Sequence, residues 1–313
     1  MVMASVSDLP APPPGRTGWP WTEGCDSPPP AMADGSPWPR ITIVTPSFNQ
    51  GQFIEQTIRS VLLQGYPDLE YLVIDGGSTD GTVAIIKKYA PWLAFWVSEK
   101  DNGQSHAINK GMRRATGAVA AYINSDDYYL PGALRTAAEA LRKEPNAAMA
   151  YGDCDGVDEG GKRTGVMHAA DFDLEAMLRW FHGIPQAAAF FRAGAARELG
   201  WFDESLHYVM DYDLWLRLGM RHRLARLPQA LAAMRTHESS KTTGSRAAWT
   251  RKFRRERLAL KGKTLADPAV PAPLAARRGP ILRRAAGSMA LECLRIGDGA
   301  EAAYFMSRMI VPR

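Results

Sequence analysis

The stretch Ala118–Leu130, AVAAYINSDDYYL, decides how the rest of this chain is read. Val119 to Ile123 is a short apolar run rich in β-formers, and it turns abruptly polar at Asn124-Ser125-Asp126-Asp127. In an α/β sheet such a run reads as a buried parallel strand, and ligands bind beyond the carboxyl ends of such strands. Two adjacent carboxylates at a strand end can hold Mg²⁺ or Mn²⁺ against a pyrophosphate, because hard cations take oxygen ligands and keep positions open for phosphate. The same residues also read as a polar turn, with Asp126 or Asp127 capping a helix that starts near Pro131. The flanking sequence bears on the choice.

Upstream, Ile41 to Thr45 is predicted as the first strand, with Pro46-Ser47-Phe48-Asn49 at its end. A helical period follows at Phe53, Ile54, Thr57, Ile58, Val61 and Leu62. Tyr71 to Ile74 reads as a second strand ending at Asp75-Gly76-Gly77, and Leu93 to Val97 as a third ending at Asp101-Asn102-Gly103. Helices are expected after each, the last running through Arg114. The alternation predicts a mostly parallel sheet with helices on both faces. Four consecutive strand ends then carry polar loops that converge on one edge, which weakens the reading of any one of them as an ordinary turn. None has the spacing of a GxGxxG or GxxxxGK[ST] phosphate loop.

Downstream, a helix from Pro131 to Arg142 and a strand from Ala147 to Tyr151 are expected, then a hairpin turning at Gly160-Gly161. Further elements are read at Phe172 to Trp180 (helix), Ala187 to Arg192 (strand), Asp211 onward (helix) and Leu227 to Thr236 (a last strand ending at His237).

The 313 residues suit one large α/β domain with appendages, and a hydrophobic fraction of 46% supports a real core. Residues 1–39 hold 10 of the 22 prolines and no apolar periodicity, so they are expected to form a disordered or extended leader, with Trp19, Trp21 and Trp38 available to dock. Cys25, Cys154 and Cys293 are scattered without metal spacing, which argues for a reducing compartment. With no apolar run of about 18 residues and no secretory signal, a cytoplasmic protein is expected, at most peripheral on the inner face of a membrane.

The net charge of +5 is uneven. Residues 246–313 hold 15 Lys/Arg against 5 Asp/Glu, leaving 23 basic against 28 acidic residues elsewhere. A nucleic-acid enzyme would carry its basic charge around the cleft, so no nucleic-acid partner is expected. The basic segment Trp249 to Lys263 reads either as a helix packing Trp249, Phe253, Leu258 and Leu260 on the body or as a contact with an anionic membrane surface. A final helical pair is expected over Leu282 to Ile310.

Seven motifs stand in order: ITIVTPSFNQ (41–50), EYLVIDGGSTDGT (70–82), SEKDNGQSHAINKG (98–111), YINSDD (122–127), GIPQAAAFFR (183–192), MDYDLWLR (210–217) and RTHESS (235–240). Over about residues 40–243 this set resembles a family 2 glycosyltransferase of the inverting, cell-surface polysaccharide type. The resemblance implies a Rossmann-like glycosyltransferase-A fold over 40–245, with a nucleotide-binding half (40–130), an acceptor-binding half (131–245) and a basic helical extension (246–313). It further implies a nucleotide-sugar donor, a UDP-sugar first among the candidates, with Mn²⁺ or Mg²⁺ and a glycan or lipid-linked glycan acceptor.

By the same resemblance Pro46, Ser47 and Asn49, with Asp75, hold the base and ribose, and Asp101, Gln104 and Asn109 line that pocket. Asn124-Ser125-Asp126 occupies the Asp-x-Asp metal motif, with Asp126 as the metal ligand and Asn124 replacing the first Asp. Whether Asn124 touches metal or sugar stays open. Asp127 is expected to orient the donor sugar, His237 to approach the metal or diphosphate, and Asp211 to act as catalytic base, with Met210 in place of the usual Glu. Asp213 is expected to point away, Arg217 to be structural, His106 to cap or pack, and His182 and Gln186 to border the acceptor groove. Two rivals share the fold: a sugar nucleotidyltransferase, which would need a basic triphosphate loop that TPSFNQGQF lacks, and a catalytically silent scaffold, which the Asn124 and Met210 departures keep in play.

Overall fold

The computed structural model describes residues 4–180, 183–238, 240 and 246–309. Its centre is strand β1 (Ile41–Ser47), all seven residues buried, as a run of apolar and β-branched side chains in the middle of a parallel sheet must be. Helix α1 (Ile54–Leu62) leads to β2 (Leu69–Asp75), α2 (Thr82–Tyr89) to β3 (Phe95–Ser98), and α3 (Gln104–Met112) to β4 (Val119–Tyr122). The order β3-β2-β1-β4 is parallel throughout, so four carboxyl ends meet at one edge.

Beyond β4 the sheet becomes mixed. A two-residue strand β5 (Tyr128–Tyr129), helix α4 (Ala133–Lys143), the long β6 (Ala147–Val157) and its hairpin partner β7 (Arg163–Met167) come next. Then follow α5 (Leu174–Trp180), β8 (Ala189–Arg192), α6 (Ala193–Glu198), α7 (Met210–Gly219) and β9 (Arg223–Arg235). The order continues β4-β8-β6-β9-β5, with β8 antiparallel to both neighbours and β6 parallel to β9. Strand β5 was not expected. It pairs antiparallel with the end of β9, and two residues are too few to leave a periodic trace.

Alternate residues of each strand serve opposite faces. Ile43, Val73 and Phe190 join Ile58, Ile86 and Leu134 in one core, while Val44, Leu72 and Phe191 join Ile108, Met112 and Trp215 in the other. Helix α3 approaches β1 closely at Gly111, where an added Cβ would lie 2.5 Å from Val44 Cγ1, so only glycine fits.

The leader packs on the body. Residues 4–39 form neither helix nor strand, yet Leu9, Trp21, Met32 and Trp38 are buried. The reason is Arg59 of α1, fully buried, whose guanidinium donates to the carbonyls of Pro10 (2.8 Å), Pro20 (2.9 Å) and Trp21 (2.6 Å) and to the Tyr89 hydroxyl. Trp19 Nε1 donates to the Tyr129 carbonyl at 2.8 Å. A proline-rich chain has few N–H groups to satisfy, and one arginine supplies donors for its carbonyls.

At the other end, α8 (Arg246–Thr264) lies on α7, with Lys263 bridging Asp203 and Asp213 and Glu256 accepting from the His207 and Tyr208 N–H groups. Short α9 (Ala272–Ala275) precedes the pair α10 (Arg278–Arg295) and α11 (Gly299–Ser307), which close over Met289, Cys293, Ala302 and Phe305. The three cysteines are free.

Candidate active site

The loop after β1 is set by Asn49, which adopts φ 52°, a left-handed conformation that Asn tolerates better than most residues. Its N–H donates to the Ser78 hydroxyl and its side-chain oxygen accepts the Thr79 N–H, tying this loop to the one after β2. Pro46 lies where β4 no longer pairs with β1, so its missing N–H breaks no ladder bond. Ser47 is buried and its hydroxyl has no hydrogen-bond partner among the described residues, while Phe48 is 60% exposed beside it.

Asp75 is fully buried and already well supplied with donors: the N–H groups of Gly77 and Ser78 and the hydroxyls of Ser78 and Ser98. It therefore builds the rim between β2 and β3. Asp101, after β3, lies so near Gly76 that a Cβ there would meet its Oδ2 at 2.7 Å, which brings the two loops together.

Gln104, at the start of α3, donates from Nε2 to Asn124 Oδ1 at 2.6 Å. Asn124 Nδ2 in turn donates to Gln186 Oε1 (3.2 Å), and Gln186 Nε2 to the Tyr122 carbonyl (2.6 Å). The chain of amides runs one way, and it bears on why asparagine stands at position 124. The Tyr122 carbonyl holds the Gln186 nitrogen, so the Gln186 oxygen faces position 124 and requires a donor there. Asparagine supplies one, whereas an ionised aspartate accepts only.

Asn109 does not sit as expected. Its amide donates to the Phe202 carbonyl (2.8 Å) and Glu204 (2.9 Å) and accepts the Phe202 N–H, so both ends brace the 202–204 loop, and the residue is buried. Ser125 is buried as well. Asp127 turns inward, accepting the Arg235 N–H at 2.9 Å, and burial with the neighbouring Asp126 charge pushes its carboxyl well above the usual carboxylate range.

Asp126 and His237 do meet: Oδ2 and Nε2 are 3.1 Å apart, with the imidazole almost wholly buried against Phe53 at a 4.5 Å ring separation. His237 is a turn beyond β9, and its N–H donates to Ser240. The strand places it there through Arg235, a residue whose role local sequence does not show. Arg235 Nε donates to the Asp126 carbonyl (3.0 Å), Nη1 to the carbonyls of Asp158 and Glu159, and Nη2 to Gln56 (2.8 Å). Its guanidinium lies between the rings of Phe53 and Tyr128. Its hydrogen-bond partners are 76 to 179 residues away, so no periodicity could reveal them.

Asp211, the first residue but one of α7, is half-buried, and its Oδ1 accepts the Tyr212 N–H at 2.9 Å. Burial, then the charges of Asp211 and Asp127, raise the Tyr122 phenol well above its ordinary pKa. Asp213 turns instead to Arg217 (2.6 Å) and Lys263 (3.2 Å), and Arg217 also holds the carbonyls of Leu199 and Trp201. His106 is half-buried on α3, and His182 lies outside the described residues.

As a donor set, Asp126 and His237 offer one carboxylate oxygen and one imidazole nitrogen. No cluster of three His, Cys, Asp or Glu side chains suited to a metal occurs among the described residues. Two protein ligands suit a divalent ion that completes its shell with phosphate and water.

Residues 42–199 match the sequence model described as glycosyl transferase family 2. An uncharacterized glycosyltransferase of Mycobacterium tuberculosis is 30% identical over 184 residues, 58% of this chain and 70% of that relative. The chondroitin synthase of Escherichia coli is 29% identical over 188 residues, 58% of this chain but 26% of that protein. Among solved structures, Staphylococcus aureus TarS 1–349 in complex with UDP superposes with a TM-score of 0.61 at 16% identity, covering 86% of this chain and 90% of that one. The mannosyltransferase PcManGT of Pyrobaculum calidifontis, in complex with GDP-Man and Mn²⁺, gives 0.57 at 20% identity, covering 87% and 86%. These structural likenesses show the glycosyltransferase-A fold alone. The family match covers half of the chain and includes every parallel strand end of the site, so this chain belongs to glycosyl transferase family 2 and is a transferase.

Proposed function

We propose that the chain moves a sugar from a nucleotide-sugar, a UDP-sugar first among the candidates, to a hydroxyl of a glycan or lipid-linked glycan, with inversion at the anomeric carbon. The observation that carries this reading is the meeting of Asp126 and His237 at 3.1 Å just beyond β4. Asp126 and His237 would hold Mn²⁺ or Mg²⁺, which when bound offsets the charge on a departing diphosphate. Ser47, Phe48 and the rim built by Asp75 and Asp101 form the base and ribose side, with the exposed Phe48 ring offering a stacking face. Asp211 takes the acceptor proton as the acceptor oxygen bonds to the anomeric carbon. The bond from that carbon to the diphosphate oxygen breaks, and its electron pair leaves with the nucleoside diphosphate. The relatives' names and the bound ligands of TarS and PcManGT support this donor class.

The test is thermal stabilisation by UDP, GDP, CMP and dTDP, each with Mn²⁺ and with EDTA. One nucleotide is expected to raise Tm with metal only, and Asp126→Asn to remove that shift. No shift with any nucleotide, or an equal shift in EDTA, would overturn the reading.

A further inference from the structure

Five of the seven large hydrophobic side chains exposed in the described chain gather at its carboxyl-terminal end: Leu291, Leu294, Ile296, Met306 and Met309. Leu291 and Ile296 are 61% and 57% exposed, too open to belong to the core beneath. Leu291, Leu294 and Met309 lie on one face, with Ile296 just past the end of α10 and Met306 on α11. At about 100° per residue Arg284, Gly287, Leu291, Leu294 and Arg295 share a stripe of α10. Met309, beyond the end of α11, lies over Gly287, where an added Cβ would meet its methyl at 3.3 Å.

Charge around this surface has a single sign. Each of the five acids in residues 246–309 is tied elsewhere: Glu256 to the N–H groups of His207 and Tyr208, Asp267 to Arg221, Glu292 to Arg254, Asp298 to Arg251 and Glu301 to Arg255. Arg283, Arg284 and Arg295 are exposed, and no ion pair among the described residues engages them. We infer that the outer face of α10 and α11 docks on an anionic lipid surface, the leucine, isoleucine and methionine side chains entering the acyl boundary and the three arginines meeting the headgroups.

The occupant follows from the charge. A second copy related by a two-fold axis would set this patch, with Arg284 and Arg295, against the same patch of its partner, where none of the acids named above is free to offset them. Anionic headgroups supply that counter-charge, and the apolar stripe supplies the insertion that charge alone would not. No helix among the described residues is long and apolar enough to cross a membrane, so the contact is one of surface docking. The surface also differs from the one the sequence suggests: α8 turns Arg254, Leu260 and Lys261 inward, and its exposed Arg251, Arg255 and Lys263 are paired with Asp298, Glu301 and Asp203.

The test is co-flotation of the full chain with vesicles of phosphatidylcholine alone and with phosphatidylglycerol added, alongside sedimentation velocity without lipid. Binding is expected to the anionic vesicles only and to weaken with salt. Leu291→Ser with Ile296→Ser, and separately Arg284→Glu with Arg295→Glu, should each lower the bound fraction about tenfold or more. All four sites are exposed, and an unchanged Tm confirms the fold of each variant. Failure to bind either vesicle, equal binding to both, or binding that survives both variants overturns the proposal. So does a dimer in lipid-free solution that the apolar variant dissociates.

Discussion

Asp126 and His237 are 111 residues apart in the chain, and their side chains meet at 3.1 Å. One stands on the loop after the last parallel strand, the other just past the end of β9. Arg235 joins the two by bonding the Asp126 carbonyl from a position two residues before His237. The consequences can be measured.

Asn124→Asp restores the commoner first residue of the metal motif but is expected to weaken the site. The new carboxylate would face Gln186 Oε1 and, at about the 3.4 Å now separating Asn124 Nδ2 from it, Asp127 Oδ2. A loss of about 1–3 kcal/mol in urea denaturation is expected, since a buried acceptor loses its donor. Tighter Mn²⁺ binding with unchanged stability would count against the amide-chain account.

Asp211→Asn keeps the shape of the side chain and removes its basicity. Transfer should fall about 10²–10⁴-fold, while nucleotide affinity by calorimetry stays within about twofold. A parallel loss of both would assign Asp211 to binding instead of proton removal.

Arg235→Ala leaves the carbonyls of Asp126, Asp158 and Glu159 without their donor and opens a space between Phe53 and Tyr128. Stability is expected to drop by about 3–5 kcal/mol. Arg235→Lys, which retains charge but not the fork, should recover part of the stability and little of any metal-dependent nucleotide shift. Full recovery of both by lysine would show that charge alone suffices.

Lys261 is buried on α8, and desolvation followed by the nearby Arg257 charge lowers its pKa from 10.5 to about 8. Between those two values the unfolded chain binds more protons than the folded one, so stability attributable to this residue rises with pH through that window. Below about pH 8 the full penalty is present. Lys261→Met is therefore expected to raise stability at pH 7 by about 1–3 kcal/mol. Its advantage should shrink toward pH 10, which urea denaturation at several pH values would check.

The parallel half of the fold was legible because its signals are local. ITIV, YLVI and VAAYI are apolar runs that suit a buried strand, and each leads into a polar loop where the chain leaves the sheet. The ordered motifs nominate Asp126, Asp211 and His237, and the fold brings Asp126 and His237 within 3.1 Å of each other.

What only the tertiary structure decided depends on contacts between residues far apart in the chain. The leader's packing rests on Arg59, which reads in sequence as one more polar helical residue until its buried guanidinium is seen holding three carbonyls. Asn109 braces a loop more than 90 residues away. The preference for Asn124 over aspartate is set by the Tyr122 carbonyl acting through Gln186. Periodicity and composition report on burial along one segment. Which donor meets which acceptor is settled when segments pack, because a buried polar group must find its partner wherever the fold puts one.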